Sequence, residues 1–498
     1  MQAKIYLDAV RRKGKISDVF YGSFVEHMGR CVYGGVYEEG SPLSDEKGWR
    51  RDVEEKVRGL NLDIVRYPGG NFVSGYDWKD GIGPKDLRPQ KLDLAWMQLE
   101  PNRVGVLEFC DWARRSARQV MMAVNLGTGT AKDAQELVEY CNAERGYWAE
   151  KRAEHGRRDP LGIRYWCLGN EMDGDWQICT HTAEEYGRKA QEAAKLMKWV
   201  DPDIRLVACG SSAPTMASFP RWDRVVLEHV YEQADCISMH RYYNHNDGNL
   251  DDYLSAFVDF GAAIDSVISV CDYVKAYKRS KKTMKISFDE WNVSNAADPS
   301  PENERGKWIV GARRSEAKYD FLDGIALAQL LSVLVNHADR VEITCQAQLV
   351  NVLGLIFAEK EGSFCQSIYY PFALASQYLR GEALDVLAEC PIRRSEKYGE
   401  APLVQCAAAY DGEEERLCVY AINASLEEAA EVEISLAHFG KLRLNKIYSY
   451  ESEDISARNG LSGSPVGVRA IAQNLQVSES CSVQIPPHTL RVYLFEKG

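Results

Sequence analysis

Several kinds of chemistry are excluded by what this sequence does not contain. Its 14 cysteines include no C-x-x-C pair, and no H-x-H or H-E-x-x-H run occurs, so the usual zinc spacings are missing. No G-x-S-x-G turn is present to raise a serine nucleophile. Gly127-Thr128-Gly129-Thr130 lacks the lysine and the spacing of a phosphate loop. Positive charge is not in excess. The 60 basic residues face 73 acidic ones, for a net charge of −13. Nucleic acid and anionic membrane surfaces are therefore not expected as partners, because phosphate binding needs a basic face. Long apolar runs are scarce too. The nearest to a bilayer span, Ile325 to Val335, is short and carries Gln329. Met1 to Asp8 has no apolar core of a secretion signal, so a cytoplasmic location and free thiols are expected.

What the sequence has is alternation. Eight β-rich apolar runs recur: Val19–Glu26, Asp63–Pro68, Val120–Leu126, Ile163–Glu171, Ile204–Gly210, Cys236–His240, Met284–Glu290 and Val341–Gln348. Amphipathic stretches such as Asp45–Leu60, Val104–Ala117, Ala183–Val200 and Tyr319–His337 lie between them. Strands alternating with helices predict parallel βαβ units, and eight repeats predict a closed (β/α)8 TIM barrel. After about residue 382 helical periodicity fades. Short alternating runs such as Leu403–Ala408, Leu417–Ile422 and Leu490–Phe495 predict a C-terminal antiparallel β-sandwich. The expected division is residues 1–17, an N-terminal strand joining the sandwich; 18–382, the catalytic barrel; and 383–498, the sandwich. One polar stretch, Asn292 to Lys318, is long for a loop inside a barrel and reads as a site wall, a subunit contact or a solvated insertion.

Two of the apolar runs end in glutamate, at Asn170-Glu171 and at Asp289-Glu290. The C-terminal rim of a barrel is where such enzymes carry their chemistry. A pair of carboxylates at that rim is the equipment of glycoside hydrolysis, one as nucleophile and one as proton donor. Asn170 is placed to bond a sugar hydroxyl, and Trp291 offers a flat face for a sugar ring. Other polar groups arrive at the same rim: Glu26 and His27 after the first run, Asn71 after Pro68-Gly69-Gly70, His240, Tyr242 and Tyr243 on the sixth, Gln346 and Gln348 on the eighth. A metal shared by His27, His240 and the glutamates is an alternative with less support.

These residues form motifs that resemble the α-L-arabinofuranosidases of glycoside hydrolase family 51. The matching segments are Gly22-Ser23-Phe24-Val25-Glu26-His27 with Gly29-Arg30, Arg66-Tyr67-Pro68-Gly69-Gly70-Asn71-Phe72, Trp78-Lys79-Asp80-Gly81-Ile82-Gly83-Pro84, Leu168-Gly169-Asn170-Glu171, Asp289-Glu290-Trp291-Asn292 and Gln348-Leu349-Val350-Asn351-Val352-Leu353. The resemblance implies a retaining exo-hydrolase that removes terminal arabinofuranose from arabinose-containing oligosaccharides. It implies Glu171 as general acid/base and Glu290 as nucleophile. It places Glu26, Asn71, Asn170, Tyr242 and Gln348 around the first sugar, with Trp96 as an aromatic wall. It also implies an intracellular homo-oligomer, commonly a hexamer, with no cofactor and no metal.

Some positions depart from the family pattern. Ser294 stands where a second tryptophan is usual, Phe364-Cys365-Gln366-Ser367 replace Trp-Arg-Gln-Thr, and Gly354-Leu355 replace Ala-Pro. The loop Asp173 to Thr180 also differs. The resemblance therefore does not fix the preference beyond the first sugar. The alternatives are β-xylosidase or endo-glucanase activity on the same fold, or a non-catalytic carbohydrate-binding protein.

Overall fold

A computed structural model describes residues 1–294 and 307–498. The polar stretch Asn292 to Lys318 falls partly outside the described residues. Eight parallel strands close into a barrel in chain order: β1 (Tyr21–Phe24), β2 (Leu62–Tyr67), β3 (Ala117–Ala123), β4 (Tyr165–Leu168), β5 (Arg205–Ala208), β6 (Cys236–Tyr243), β7 (Lys285–Val293) and β8 (Val341–Gln346), which pairs back onto β1. Ile64, Met121, Ala123, Cys167, Val207, Cys236, Ile343 and Cys345 fill the lumen, so the barrel is a packed core.

The helices that wrap it follow from local sequence. Thr182 caps Ala183–Val200 by accepting from the Glu185 N–H, while the Glu185 carboxylate accepts from the Thr182 N–H. That helix then buries Tyr186, Ala190, Ala193, Ala194 and Met197, the stripe a 3.6-residue period lays on one face. One expectation needs correction. The segment Leu250–Lys278 is long and apolar enough to cross a membrane by length and composition. Its helix Ala256–Lys278 nonetheless lies on the barrel, with Phe257, Phe260, Ile264, Val267, Cys271 and Val274 buried, so its apolarity serves packing.

The C-terminal region is two packed sheets. In one, Val404–Asp411, Arg416–Asn423, Thr489–Lys497, Leu442–Tyr450 and Val468–Val477 are successive neighbours, with Arg12–Lys15 and Glu382–Leu384 completing the other edge. The second has four strands, Leu387–Glu389, Gln2–Asp8, Ala430–Ala437 and Ser480–Ile485. Gln2–Asp8 runs parallel to Ala430–Ala437, so the start of the chain is built into this sheet. Ile5, Leu417, Val419, Val432, Ile434, Tyr493 and Phe495 fill the space between the layers.

The helix Phe321–Val335 joins the two bodies. Every one of its residues is buried. A helix apolar all round needs cover on all sides, and here the barrel supplies one side and the seven-stranded sheet the other. Gly324 marks the closest approach. A Cβ there would collide with the Tyr450 hydroxyl oxygen, which itself donates to the Phe321 carbonyl. In an exposed helix Gly→Ala stabilises by up to about 1 kcal/mol. Gly324→Ala is expected to reverse that sign, destabilising by about 1–3 kcal/mol through overpacking. A higher melting temperature for the variant would show that the interface has slack the geometry does not.

Candidate active site

All the polar groups of interest leave the barrel at its C-terminal rim, and an irregularity in β7 aims two of them inward. Ser238 pairs with Ser287, but His240 pairs with Glu290. On the other flank Phe288 pairs with Thr344, but Trp291 pairs with Gln346. β7 therefore carries one residue more than either neighbour, a β-bulge of the kind that re-aims side chains. Strand residues ordinarily alternate faces. The extra residue lets both Asp289 and Glu290 contact the groups inside the rim.

Glu290 is held from two sides. Arg66 Nη1, from β2, donates to its Oε1 at 2.7 Å, and the Tyr242 hydroxyl, from β6, donates to its Oε2 at 3.0 Å. Arg66 Nη2 also donates to Asn170 Oδ1 at 2.6 Å, and its Nε lies 3.8 Å from Asp289 Oδ2. Arg66 is 1% exposed and stacks 4.5 Å from the centre of the Phe24 ring. Burial alone would weaken its hold on its proton, but the charges of Asp289 and Glu290 raise its pKa well above the usual value.

Glu171 follows β4 through Gly169 and Asn170, and its own backbone sits at φ +45°. That left-handed geometry costs a non-glycine residue of order 1–3 kcal/mol and is typical of functional sites. Its Oε1 lies 2.8 Å from His240 Nδ1, and its Oε2 accepts from Trp176 Nε1 at 2.7 Å. The other ring nitrogen of His240 lies 3.0 Å from Asp289 Oδ1. Burial works to keep His240 neutral. The Glu290 charge and the bonds to Asp289 and Glu171 outweigh it, and its pKa is raised well above the usual value. One donor atom each from Glu171, His240 and Glu290 lie within 4.8 Å of one another.

Glu26 lies beyond the end of β1 and is fully enclosed. Its Oε1 accepts from Phe72 N at 3.0 Å and Trp96 Nε1 at 2.8 Å, and its Oε2 from Gln348 Nε2 at 3.0 Å. Burial and then the Glu290 charge push its pKa up to about 8, against the hydrogen bonds from Phe72 and Trp96, which favour the carboxylate. Among the described residues, Gln348 Oε1 and Asn71 Oδ1 are buried acceptors with no hydrogen-bond partner. Groups of this kind suit a hydroxyl-rich ligand.

Glu26, Trp96 and Gln348 form one hydrogen-bonded group; Asn170, Tyr242 and Glu290 form a second through Arg66, and His240 ties Glu171 to Asp289 beside it. Asn71 opens the turn whose next residue, Phe72, bonds Glu26.

Five of the expected rim residues have other partners in the structure. Trp291 is no sugar platform: it is 0% exposed and packs with Phe260, because the residue after an inward Glu290 faces the helices. His240 has both ring nitrogens engaged by carboxylates, Nδ1 by Glu171 at 2.8 Å and Nε2 by Asp289 at 3.0 Å. His27 is remote from the glutamates in hydrogen bonding: its nitrogens lie 2.7 Å from Glu100 and 2.8 Å from the Tyr67 hydroxyl. Tyr243 turns to Asp259 at 2.7 Å, and Gln346 to Ser23 and the Leu353 carbonyl.

Sequence reasoning missed Arg66, Asp289 and Trp176 as site residues. A lone arginine inside the run Leu62–Tyr67, all buried, was the available signal for the first. Trp176 is 50% exposed yet tied to Glu171, and nothing in a loop sequence announces that bond. Of the segment 364–367, Gln366, which keeps the family residue, is buried; it accepts from Tyr319 N and donates to the carbonyls of Ala317 and Gly354.

Among the described residues two groups bring possible metal ligands together. Glu171, His240 and Glu290 are one, and their atoms already satisfy each other, Trp176, Tyr242 and Arg66. The other is His245, Asp320 and Asp323, where the two aspartates form the capping box of Phe321–Val335.

Comparison with known proteins agrees with this architecture. The α-L-arabinofuranosidase 1 domain model matches residues 56–259, and the α-L-arabinofuranosidase C-terminal domain model matches residues 289–489. The intracellular exo-α-(1→5)-L-arabinofuranosidase 1 of Bacillus subtilis is 48% identical over 463 residues, 92% of each chain. The corresponding enzyme of Halalkalibacterium halodurans is 46% identical, again over 92% of both. Among solved structures, a family 51 α-L-arabinofuranosidase from Bifidobacterium longum superposes with a TM-score of 0.93 at 34% identity, covering 99% of both chains. With matches of this extent at both ends of the chain, the protein belongs to the α-L-arabinofuranosidases of glycoside hydrolase family 51.

Proposed function

We propose that this glycoside hydrolase releases terminal α-L-arabinofuranosyl residues by double displacement, with Glu290 as nucleophile and Glu171 as general acid/base. The observation that carries the mechanism is the spacing of the pair. Oxygens of Glu171 and Glu290 approach within 4.8 Å. Retaining enzymes keep their carboxyl groups about 5–5.5 Å apart, whereas inverting enzymes leave about 6.5–9.5 Å for a water molecule. Arg66 and Tyr242 hold Glu290 in a fixed orientation. A carboxylate so held attacks the anomeric carbon while Glu171 protonates the departing oxygen. Water activated by Glu171 then cleaves the ester, and configuration is retained.

The first sugar is bound by Glu26, Asn71, Asn170, Tyr242 and Gln348, with the Trp96 indole as one wall. Trp176, exposed beside Glu171, is where the leaving sugar passes. The relatives between 43% and 48% identical are named for α-(1→5) linkages and as intracellular enzymes. On that support the substrate is α-(1→5)-linked arabino-oligosaccharide and the location cytoplasmic. Assembly as a homo-oligomer, a hexamer on the family pattern, completes the proposal.

Glu290→Gln is expected to lose nearly all turnover, and wild-type rates in that variant would refute the nucleophile. Glu171→Ala is expected to lose about 10²–10⁴-fold on arabinobiose but far less on a dinitrophenyl arabinofuranoside, whose leaving group needs no proton. Added azide should rescue the second variant and give the glycosyl azide of unchanged anomeric configuration. In buffer containing methanol, the wild type should form the methyl α-L-arabinofuranoside; the β-anomer would establish inversion. Finally, the enzyme should cleave α-(1→5)-arabinobiose faster than its (1→2) and (1→3) isomers, as resolved by chromatography of the products.

A further inference from the structure

The acid in this site poses a proton-location problem. Glu171 must deliver a proton, yet both of its oxygens already face nitrogens. Indole nitrogen only donates, so Trp176 Nε1 takes up Oε2 as an acceptor at 2.7 Å. A proton shared by this residue therefore lies on the other oxygen, along the 2.8 Å line from Oε1 to His240 Nδ1. The opposite ring nitrogen, Nε2, faces Asp289 Oδ1 at 3.0 Å. Asp289 is 1% exposed and near Arg66, so as a carboxylate it requires a hydrogen on Nε2. Nδ1 is then left with two states. Either it carries a second hydrogen and donates to a Glu171 carboxylate, or it is bare and accepts from a Glu171 carboxylic acid.

We infer that His240 is a positioning residue that shares with Glu171 the single proton given to the leaving group, so that the functional acid is the Glu171–His240 pair. This rests on the reading of Glu171 as acid/base. The transfer balances simply. The Nδ1–H bond breaks and an O–H bond forms on Glu171, leaving a neutral imidazole with its hydrogen on Nε2. That proton then passes to the glycosidic oxygen, which keeps the electron pair of its broken bond to the anomeric carbon. Glu290 supplies the pair for the new bond to that carbon.

The surroundings favour holding a proton here. His240 is 3% exposed. It faces Glu171 from β4, Asp289 and Glu290 from β7, and the half-enclosed Asp173 beyond β4, with Arg66 of β2 as the opposing cation. Its nearest Glu290 oxygen lies 3.7 Å from Nδ1. In the glycosyl-enzyme that oxygen belongs to an ester and has no charge, so the imidazolium loses its strongest support just when Glu171 must act as a base.

The test uses His240→Gln, which keeps hydrogen bonding but holds no exchangeable charge. On arabinobiose its kcat/KM is expected to fall about 10²–10³-fold, and on the dinitrophenyl arabinofuranoside less than about tenfold. The basic limb of its pH profile should also move to lower pH, because wild-type activity fades as pH rises through the raised His240 pKa. Equal losses on both substrates, or an unmoved basic limb, would overturn the inference and leave His240 a structural brace. Should the variant fail to fold, ¹⁵N NMR of the wild-type histidines decides. An imidazolium at neutral pH that becomes neutral in the trapped 2-fluoro-arabinosyl enzyme supports the pair; a neutral ring throughout refutes it. Equal losses on both substrates in Glu171→Ala would instead indict the acid/base assignment itself.

Discussion

The buried guanidinium of Arg66 is the constraint on which this site depends. Four carboxylates, Glu26, Glu171, Asp289 and Glu290, crowd one barrel mouth, and among the described residues that hydrogen-bond them Arg66 is the one permanent cation. Removing an arginine from water costs several kcal/mol, and partners of opposite charge with good geometry offset that cost. Arg66 finds them in Glu290, Asp289 and the Asn170 amide oxygen. Four acids against one fixed cation still leave three negative charges in a poorly solvated space. Protons offset part of the difference. The raised pKa of His240 and the shift of Glu26 to about 8 are both responses to that imbalance.

The scaffold delivers this crowding with ordinary devices placed at one end. A single extra residue in β7 turns Asp289 and Glu290 inward together, and a left-handed residue after β4 aims Glu171 across at them. The lumen beneath is filled by Ile64, Met121, Cys167, Val207 and Ile343, so the charged groups rest on a dry floor. Low local dielectric strengthens each ion pair and equally raises the penalty for any group left unpaired. The helix Phe321–Val335 carries contacts to the seven-stranded sheet on one side and to the barrel on the other.

The fold was legible because it is written in periodicity. Eight apolar runs separated by amphipathic stretches specify a closed parallel barrel, and the loss of helical period after residue 382 marks the sheets that follow. Glu171 and Glu290 were legible as polar residues ending apolar runs. The misreadings have one physical origin, which is that sequence adjacency says little about direction. Trp291 follows Glu290 in the chain but faces the helices, and Tyr243 follows Tyr242 but turns to Asp259. A bulge has no sequence signature of its own, so Asp289 could be noticed only as a polar neighbour. His240 was found at the right rim, and its role waited on knowing that both of its nitrogens are taken. The apolar segment Leu250–Lys278 was underrated for a related reason: composition cannot separate a helix packed on a barrel from one that crosses a membrane.

Charge also links the two halves of the proposed reaction. The Glu290 carboxylate is the strongest of the influences raising the His240 pKa, and it stands second only to burial in raising that of Glu26. Ester formation at Glu290 removes that charge from both at once. His240 then has less reason to remain an imidazolium, and Glu26 less reason to remain protonated while it accepts hydrogen bonds from Phe72, Trp96 and Gln348. A carboxylate at Glu26 makes those three bonds stronger, because charge-assisted hydrogen bonds exceed neutral ones. The covalent step therefore tightens the far wall of the pocket and frees the acid/base pair in a single event. Hydrolysis of the ester restores the charge and reverses both effects. No moving part is required for this alternation, since the reacting group is itself the charge to which the other titratable groups respond.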